Sequence, residues 1–137
     1  MLRCAVLSEK STPGEALRMD TQDNLLIVDD DETLARMVKR NLEIRQGNGD
    51  HIFIATVAAE AETILKTKNI TVLICDYDLG PYQPRGTSLT ADWRRRFPSI
   101  KNAFIYSGGN LSEIPKVAGV DAIFSKTSMT WLENVGG

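Results

Sequence analysis

Cysteine is scarce in this chain. Cys4 and Cys75 are the only two among 137 residues, and Cys75 sits inside an apolar run. A disulfide framework is therefore not expected, and reduced thiols are the default. No apolar stretch approaches the roughly 20 residues that span a bilayer. Met1 to Leu7 carries one arginine but too short an apolar core for an export signal. The expectation is a cytoplasmic protein with no membrane partner. Basic runs are equally few: Arg94, Arg95 and Arg96 form the only one, and they are expected on the solvated face of a helix. With a net charge of −2 there is no general attraction to nucleic acid, and no direct nucleic-acid contact is expected. The sequence shows neither an internal repeat nor a low-complexity segment.

What is present suits one soluble domain: 42% hydrophobic and 25% charged residues, in a length that fills a single core. Residues 1–23 lack a clear period and are read as an N-terminal arm; residues 24–135 form the domain. From Asn24 onward, five short apolar runs alternate with amphipathic stretches, the pattern of β-α units around a parallel sheet. Leu25 to Val28 is the first run, followed by Leu34, Val38 and Leu42 at helical spacing until Gly47 and Gly49. Ile52 to Ala55 is the second, followed by an alanine-rich helix burying Ala61, Ile64 and Leu65. Val72 to Cys75 is the third. Leu89, Trp93 and Phe97 then mark a helix that Pro98 stops.

Ala103 to Tyr106 and Ala122 to Phe124 complete the set. Between them a short helix is expected, with Ser112 as N-cap, Pro115 in the first turn and Gly119 at C′. A last short helix over 128–135 would be anchored by Trp131 and Leu132.

Ligands of open parallel sheets bind outside the carboxyl ends of the strands. Residues just after the apolar runs are Asp29 and Asp30, then Asp76, then Ser107, then Lys126. Taken alone, each has a plain reading. Asp29 with Glu32 resembles a capping box, Ser107 a turn residue before Gly108 and Gly109, and Lys126 a surface lysine. Their joint placement at one sheet edge is what those readings leave unexplained. Carboxylates about 5 Å apart repel by roughly 3 kcal/mol per pair at an effective dielectric of about 20, so a neutralising partner is required. Mg²⁺, or Mn²⁺ in its place, suits an oxygen donor set completed by a phosphoryl group. The inventory matches phosphoryl transfer, with Asp76 as nucleophile. Of the remaining candidates, His51 is assigned a structural or surface role, Cys75 a place in the core, and Asp31 a cap or solvated charge.

Four motifs, LLIVDDD, LICDYDLG, FIYSGG and AIFSK, give the chain its resemblance to receiver domains of two-component response regulators. The resemblance implies a flavodoxin-like, doubly wound sheet of five parallel strands in the order 2-1-3-4-5. It implies phosphorylation of Asp76 by a histidine kinase or histidine phosphotransfer protein, with Ser107 and Lys126 contacting the phosphoryl group. Asp30 would bind Mg²⁺ directly and Asp29 mainly through water, with Asp76 and the backbone carbonyl of Asp78 as further ligands. A stand-alone phosphorylation switch or relay is expected, with no turnover beyond its own phosphorylation and dephosphorylation. The downstream partner is an unidentified protein. Gly108 would leave room beside the acceptor for a phosphodonor or water.

Several positions depart from the family pattern. Thr127 stands where proline usually follows the lysine, Ile123 stands at the usual aromatic switch position, and Phe124 points to the other face of its strand. The last two helices are short. Output through another surface is expected, such as the loop Gly80 to Thr87 with Tyr82. One rival is a pseudo-receiver that serves as an interaction module. The other is a phosphatase of the haloacid-dehalogenase type, suggested by Asp76-Tyr77-Asp78, although the acidic pair precedes that motif here and there is no room for a cap domain.

Overall fold

The computed structural model describes residues 23–46 and 49–126. Strands β1 (Leu25–Val28), β2 (Ile52–Ala55), β3 (Val72–Asp76), β4 (Asn102–Ser107) and β5 (Ala122–Ser125) form one parallel sheet in the order β2-β1-β3-β4-β5. Helices α1 (Glu32–Gln46), α2 (Ala58–Thr67) and α3 (Gly86–Arg96) fill the first three crossovers. The three inner strands are buried at every position, which is why they read as continuous apolar runs. Both edge strands are partly exposed.

Alternation along the strands makes two core layers. Leu25, Ile27, Val72, Ile74, Phe104 and Phe124 pack with Ala35, Val38 and Leu42 of α1. On the other face, Leu26, Val28, Leu73, Cys75 and Ile105 pack with Ala61 and Leu65 of α2 and with Leu89 and Trp93 of α3. Each large aliphatic side chain so buried contributes roughly 1.5–3 kcal/mol. Trp93 is fully buried, and its indole N–H donates to Glu62 at 3.0 Å, joining α3 to α2. Cys75 and Phe124 lie on the faces that alternation predicts.

α1 begins at Asp31, whose carboxylate accepts the Leu34 N–H at 3.1 Å. Asp29 and Glu32 do not form a capping box, because Asp29 is buried and Glu32 pairs with Arg36 instead. α3 ends where expected, with Phe97 N–H bonded to the Trp93 carbonyl just before Pro98. The arginine triplet is more engaged than a solvated face requires. Arg94 holds Asp121 at 2.8 Å, Arg95 holds Asp92, and Arg96 bridges Glu62 and Asp92.

The helix expected from Ser112 to Gly119 is replaced by a single 3₁₀ turn, Leu111–Glu113. Asn110, not Ser112, is its cap, accepting the Ser112 N–H at 3.0 Å and the Ser112 hydroxyl at 2.8 Å. Pro115 has no N–H with which to bond the Leu111 carbonyl, and Ile114 N–H takes that carbonyl in 3₁₀ fashion. Gly119 does adopt positive φ, but in the Val117 to Val120 turn.

Of the expected arm, residues 1–22 lie outside the described residues, as do Thr127 and the helix over 128–135. Asp23 is buried, accepts from the Thr71 hydroxyl at 2.9 Å and pairs with Lys101 at 2.9 Å. Among the described residues no helix is long and apolar enough to cross a membrane.

Candidate functional site

Backbone bonds at the carboxyl edge of the sheet set the positions of the chemical groups. Asp29 N–H donates to the Ala55 carbonyl at 3.0 Å, Tyr77 N–H to Tyr106 at 2.9 Å, and Lys126 N–H to Ser107 at 2.8 Å. Asp29, Asp76, Ser107 and Lys126 thereby converge from four strands. Lys126 Nζ lies 2.9 Å from Asp76 Oδ2 and 3.2 Å from Asp29 Oδ2. Carboxylate oxygens of Asp29, Asp30 and Asp76 lie within 4.8 Å of one another. Asp29 and Asp76 are buried while Asp30 is exposed, so the cluster opens to solvent on one side. That side is a cavity of about 1000 Å³, which Ser107, Gly108 and Lys126 also line.

Two further residues shape the cluster. Tyr106 donates its hydroxyl to Asp29 Oδ2 at 2.6 Å, and the Lys126 ammonium lies 4.8 Å from its ring centroid. Asp78 turns its side chain away from the three carboxylates. Its carboxylate accepts the Gly80 N–H at 3.0 Å and pairs with Arg85 at 3.3 Å, while its own N–H donates to Asp76 Oδ1 at 3.3 Å. Ser107 Oγ accepts the Gly109 N–H at 3.1 Å. At Gly108 a Cβ would meet only the Lys126 side chain, at 3.9 Å, so the space beside Ser107 is open.

Burial is the main cause that lifts Asp76, to a pKa of about 7. The Asp29 charge adds to it, and Lys126 opposes it. For Lys126, burial acts downward, but its bonds to Asp76 and the charge of Asp29 outweigh it and leave the ammonium favoured. Tyr106 is pushed far above the ordinary phenol range by burial and by Asp29, so it is a donor only. Burial likewise raises the Cys75 thiol, beneath the site on the opposite face.

The carboxylate set offers hard oxygen donors and no sulfur or nitrogen, which fits Mg²⁺ or a similar cation. Lys126 supplies one positive charge against the two carboxylates it touches, so the set of three keeps negative charge for a cation to neutralise. Sequence reasoning did not pick out Tyr106. The signal was there, since Tyr106 shares a strand face with Phe104, and in register it stands opposite Asp76.

No protein-family model and no curated protein matches the sequence. Solved structures do. A CheY-like response regulator receiver domain from Methanospirillum hungatei JF-1 is 27% identical, with a TM-score of 0.64, covering 77% of this chain and 82% of that one. The signal receiver domain of a DNA-binding response regulator from Colwellia psychrerythraea 34H is 21% identical, with a TM-score of 0.69, covering 82% of this chain and 93% of that one. A response regulator from Burkholderia pseudomallei, solved with a phosphorylated aspartic acid, calcium ion and citrate, is 23% identical, with a TM-score of 0.61, covering 78% and 61%. Strand order and fold are those of the response-regulator receiver domain, and the chain is a domain of that class.

Proposed function

We propose that Asp76 accepts a phosphoryl group, making the domain a phosphorylation switch or relay served by a histidine kinase or histidine phosphotransfer protein. The observation that carries this reading is the convergence of Asp29, Asp30, Asp76, Ser107 and Lys126 at the carboxyl ends of the strands, where all but the buried Asp29 line one open cavity. One Asp76 oxygen forms a bond to phosphorus as the donor's P–N or P–O bond breaks. The departing nitrogen or oxygen keeps the bonding pair. Lys126, already in contact with the acceptor, binds an equatorial phosphoryl oxygen, and the Ser107 hydroxyl leaves Gly109 to bind another. Water attacking the same phosphorus releases phosphate and restores the carboxylate, so the only turnover is of the protein's own modification.

Asp29, Asp30, Asp76 and the Asp78 backbone carbonyl would hold Mg²⁺. When bound, it would neutralise the carboxylates and the charge that develops on the phosphoryl oxygens. The Burkholderia pseudomallei regulator was solved with a phosphorylated aspartic acid and a calcium ion, which is consistent with a divalent cation in this class of domain.

The test is incubation with acetyl phosphate or phosphoramidate and Mg²⁺, followed by intact mass, for wild type and Asp76→Asn. One base-labile phosphoryl adduct, lost in the variant, is the expected result. No adduct with any donor would leave the pseudo-receiver reading in its place.

A further inference from the structure

The cavity over Asp76 is strongly acidic. Asp30, Asp31, Asp76, Asp78 and Glu113 line it, and Lys126 and Arg85 are the cations among its described lining residues. Lys126 is already engaged by two carboxylates. A phosphoryl group carrying two negative charges is therefore repelled at the mouth of the site that is to receive it, and Arg85 is the rim cation able to counter that.

The base of Arg85 is held firmly. It caps α3, its carbonyl accepts the Leu89 N–H at 3.1 Å, and the next residue, Gly86, bonds the Tyr77 carbonyl at 2.7 Å. The guanidinium is placed but not locked. It lies 5.3 Å from the Tyr77 ring centroid and makes a 3.3 Å contact with Asp78 Oδ2. Both partners of that ion pair are open to water, at 56% and 63% exposure, and exposed pairs of this kind are weak. Asp78 keeps the Gly80 N–H on its other oxygen, so it is not left without a partner when the arginine moves. A planar guanidinium binds phosphate through two parallel N–H···O bonds, a better match than a single contact with one carboxylate oxygen.

We propose that Arg85 is a donor-binding residue that captures the phosphoryl group of the incoming donor at the cavity mouth, exchanging Asp78 for the phosphoryl oxygens. The inference rests on Asp76 being the acceptor. The phosphoryl group is the recognised part, whatever the leaving group. Asp78 competes for Arg85, so its carboxylate sets how available the arginine is.

The experiment measures initial rates of adduct formation by intact mass in the full chain with Mg²⁺. Acetyl phosphate and phosphoramidate are each varied in concentration. For Arg85→Gln the half-saturating concentration of both donors rises about tenfold, the loss of one exposed charge-assisted contact, while the maximal rate is kept. Arg85→Lys falls between, and Asp78→Asn lowers the half-saturating concentration. The Mg²⁺ midpoint, read from melting temperature, does not move in Arg85→Gln. Unchanged concentration dependence in that variant overturns the proposal, and a shift confined to acetyl phosphate overturns the phosphoryl assignment. A lower maximal rate alone, or a moved Mg²⁺ midpoint, overturns it in favour of positioning through Asp78. No adduct in the wild type overturns the acceptor reading itself, which separates the two failures.

Discussion

Tyr106 donates its hydroxyl to Asp29 across 2.6 Å, and both residues are buried, so a neutral phenol and an ammonium divide one carboxylate between them. The phenol competes with any cation for that oxygen. Its donation also supports the buried charge when no cation is there. Hydrogen bonds to charged groups contribute about 1.5–3 kcal/mol.

Tyr106→Phe is expected to lower stability in chelator by about 1–3 kcal/mol while tightening Mg²⁺ binding, because Asp29 loses a donor and gains metal-binding capacity. Urea unfolding and a Mg²⁺ melting titration check the two signs. Weaker Mg²⁺ binding would mean instead that the phenol orients Asp29 towards the metal.

Asp30→Asn separates repulsion from metal binding. The exposed Asp30 makes the third charge of the cluster, and each close pair costs roughly 3 kcal/mol at an effective dielectric of about 20. Removing it raises the melting temperature in chelator. It also weakens the rise that Mg²⁺ produces, which follows RT ln(1 + [L]/Kd). A variant that melts lower than wild type in chelator would contradict the electrostatic account.

The pH dependence near neutrality belongs to Asp76. Its folded pKa, raised mainly by burial to about 7, exceeds the unfolded value, so the folded state binds the extra proton. That contribution to stability is complete below the ordinary carboxylate range and is lost as pH rises through about 7. Lys126 is raised in its turn, and its contribution fades only at alkaline pH. In chelator, wild type should lose stability as pH rises from the ordinary carboxylate range to about 7 and level off above it, and Asp76→Asn should flatten that slope.

Glu62 governs the acid side in the opposite sense. Its bonds from Arg96 and Trp93 depress its pKa from 4.5 to about 2. The stability it contributes is present above the ordinary value and is lost as pH falls towards the depressed one. Glu62→Gln should therefore reduce the acid-induced loss measured by thermal melts, leaving the neutral slope of Asp76 in place.

Much of this was legible in the residues. Leu25 to Val28, Val72 to Cys75 and Ala103 to Tyr106 read as inner strands because both their faces are covered, and covered strands need no polar alternation. The ends of those runs then pointed to Asp29, Asp76 and Ser107, since carboxyl-end placement follows from parallel pairing alone. The turn after β4 was misread because Asn110 and Ser112 are both good caps. Only the geometry shows that Asn110 holds Ser112 and that Pro115 stops the helix before it starts. Asp29 resembled a cap for a similar reason: burial under Tyr106 and Lys126 is a contact between distant segments, and local spacing carries no trace of it. Arg85 gave no sequence signal, because its place at the cavity depends on the loop returning to β3.

That return is closed by Gly86. A Cβ there would overlap the Asp76 carbonyl oxygen and come within 2.9 Å of its carbonyl carbon, while the Gly86 N–H ties the Tyr77 carbonyl at 2.7 Å. The chain leaving Asp76 is thus fastened to the start of α3 only ten residues later by sequence, and residues 80–84 hang from a fixed clasp. Loop closure grows costly only slowly with length, about 0.6 kcal/mol per doubling. This stretch is therefore an exchangeable cassette: its length and side chains can be rewritten without retuning the carboxylates beneath it.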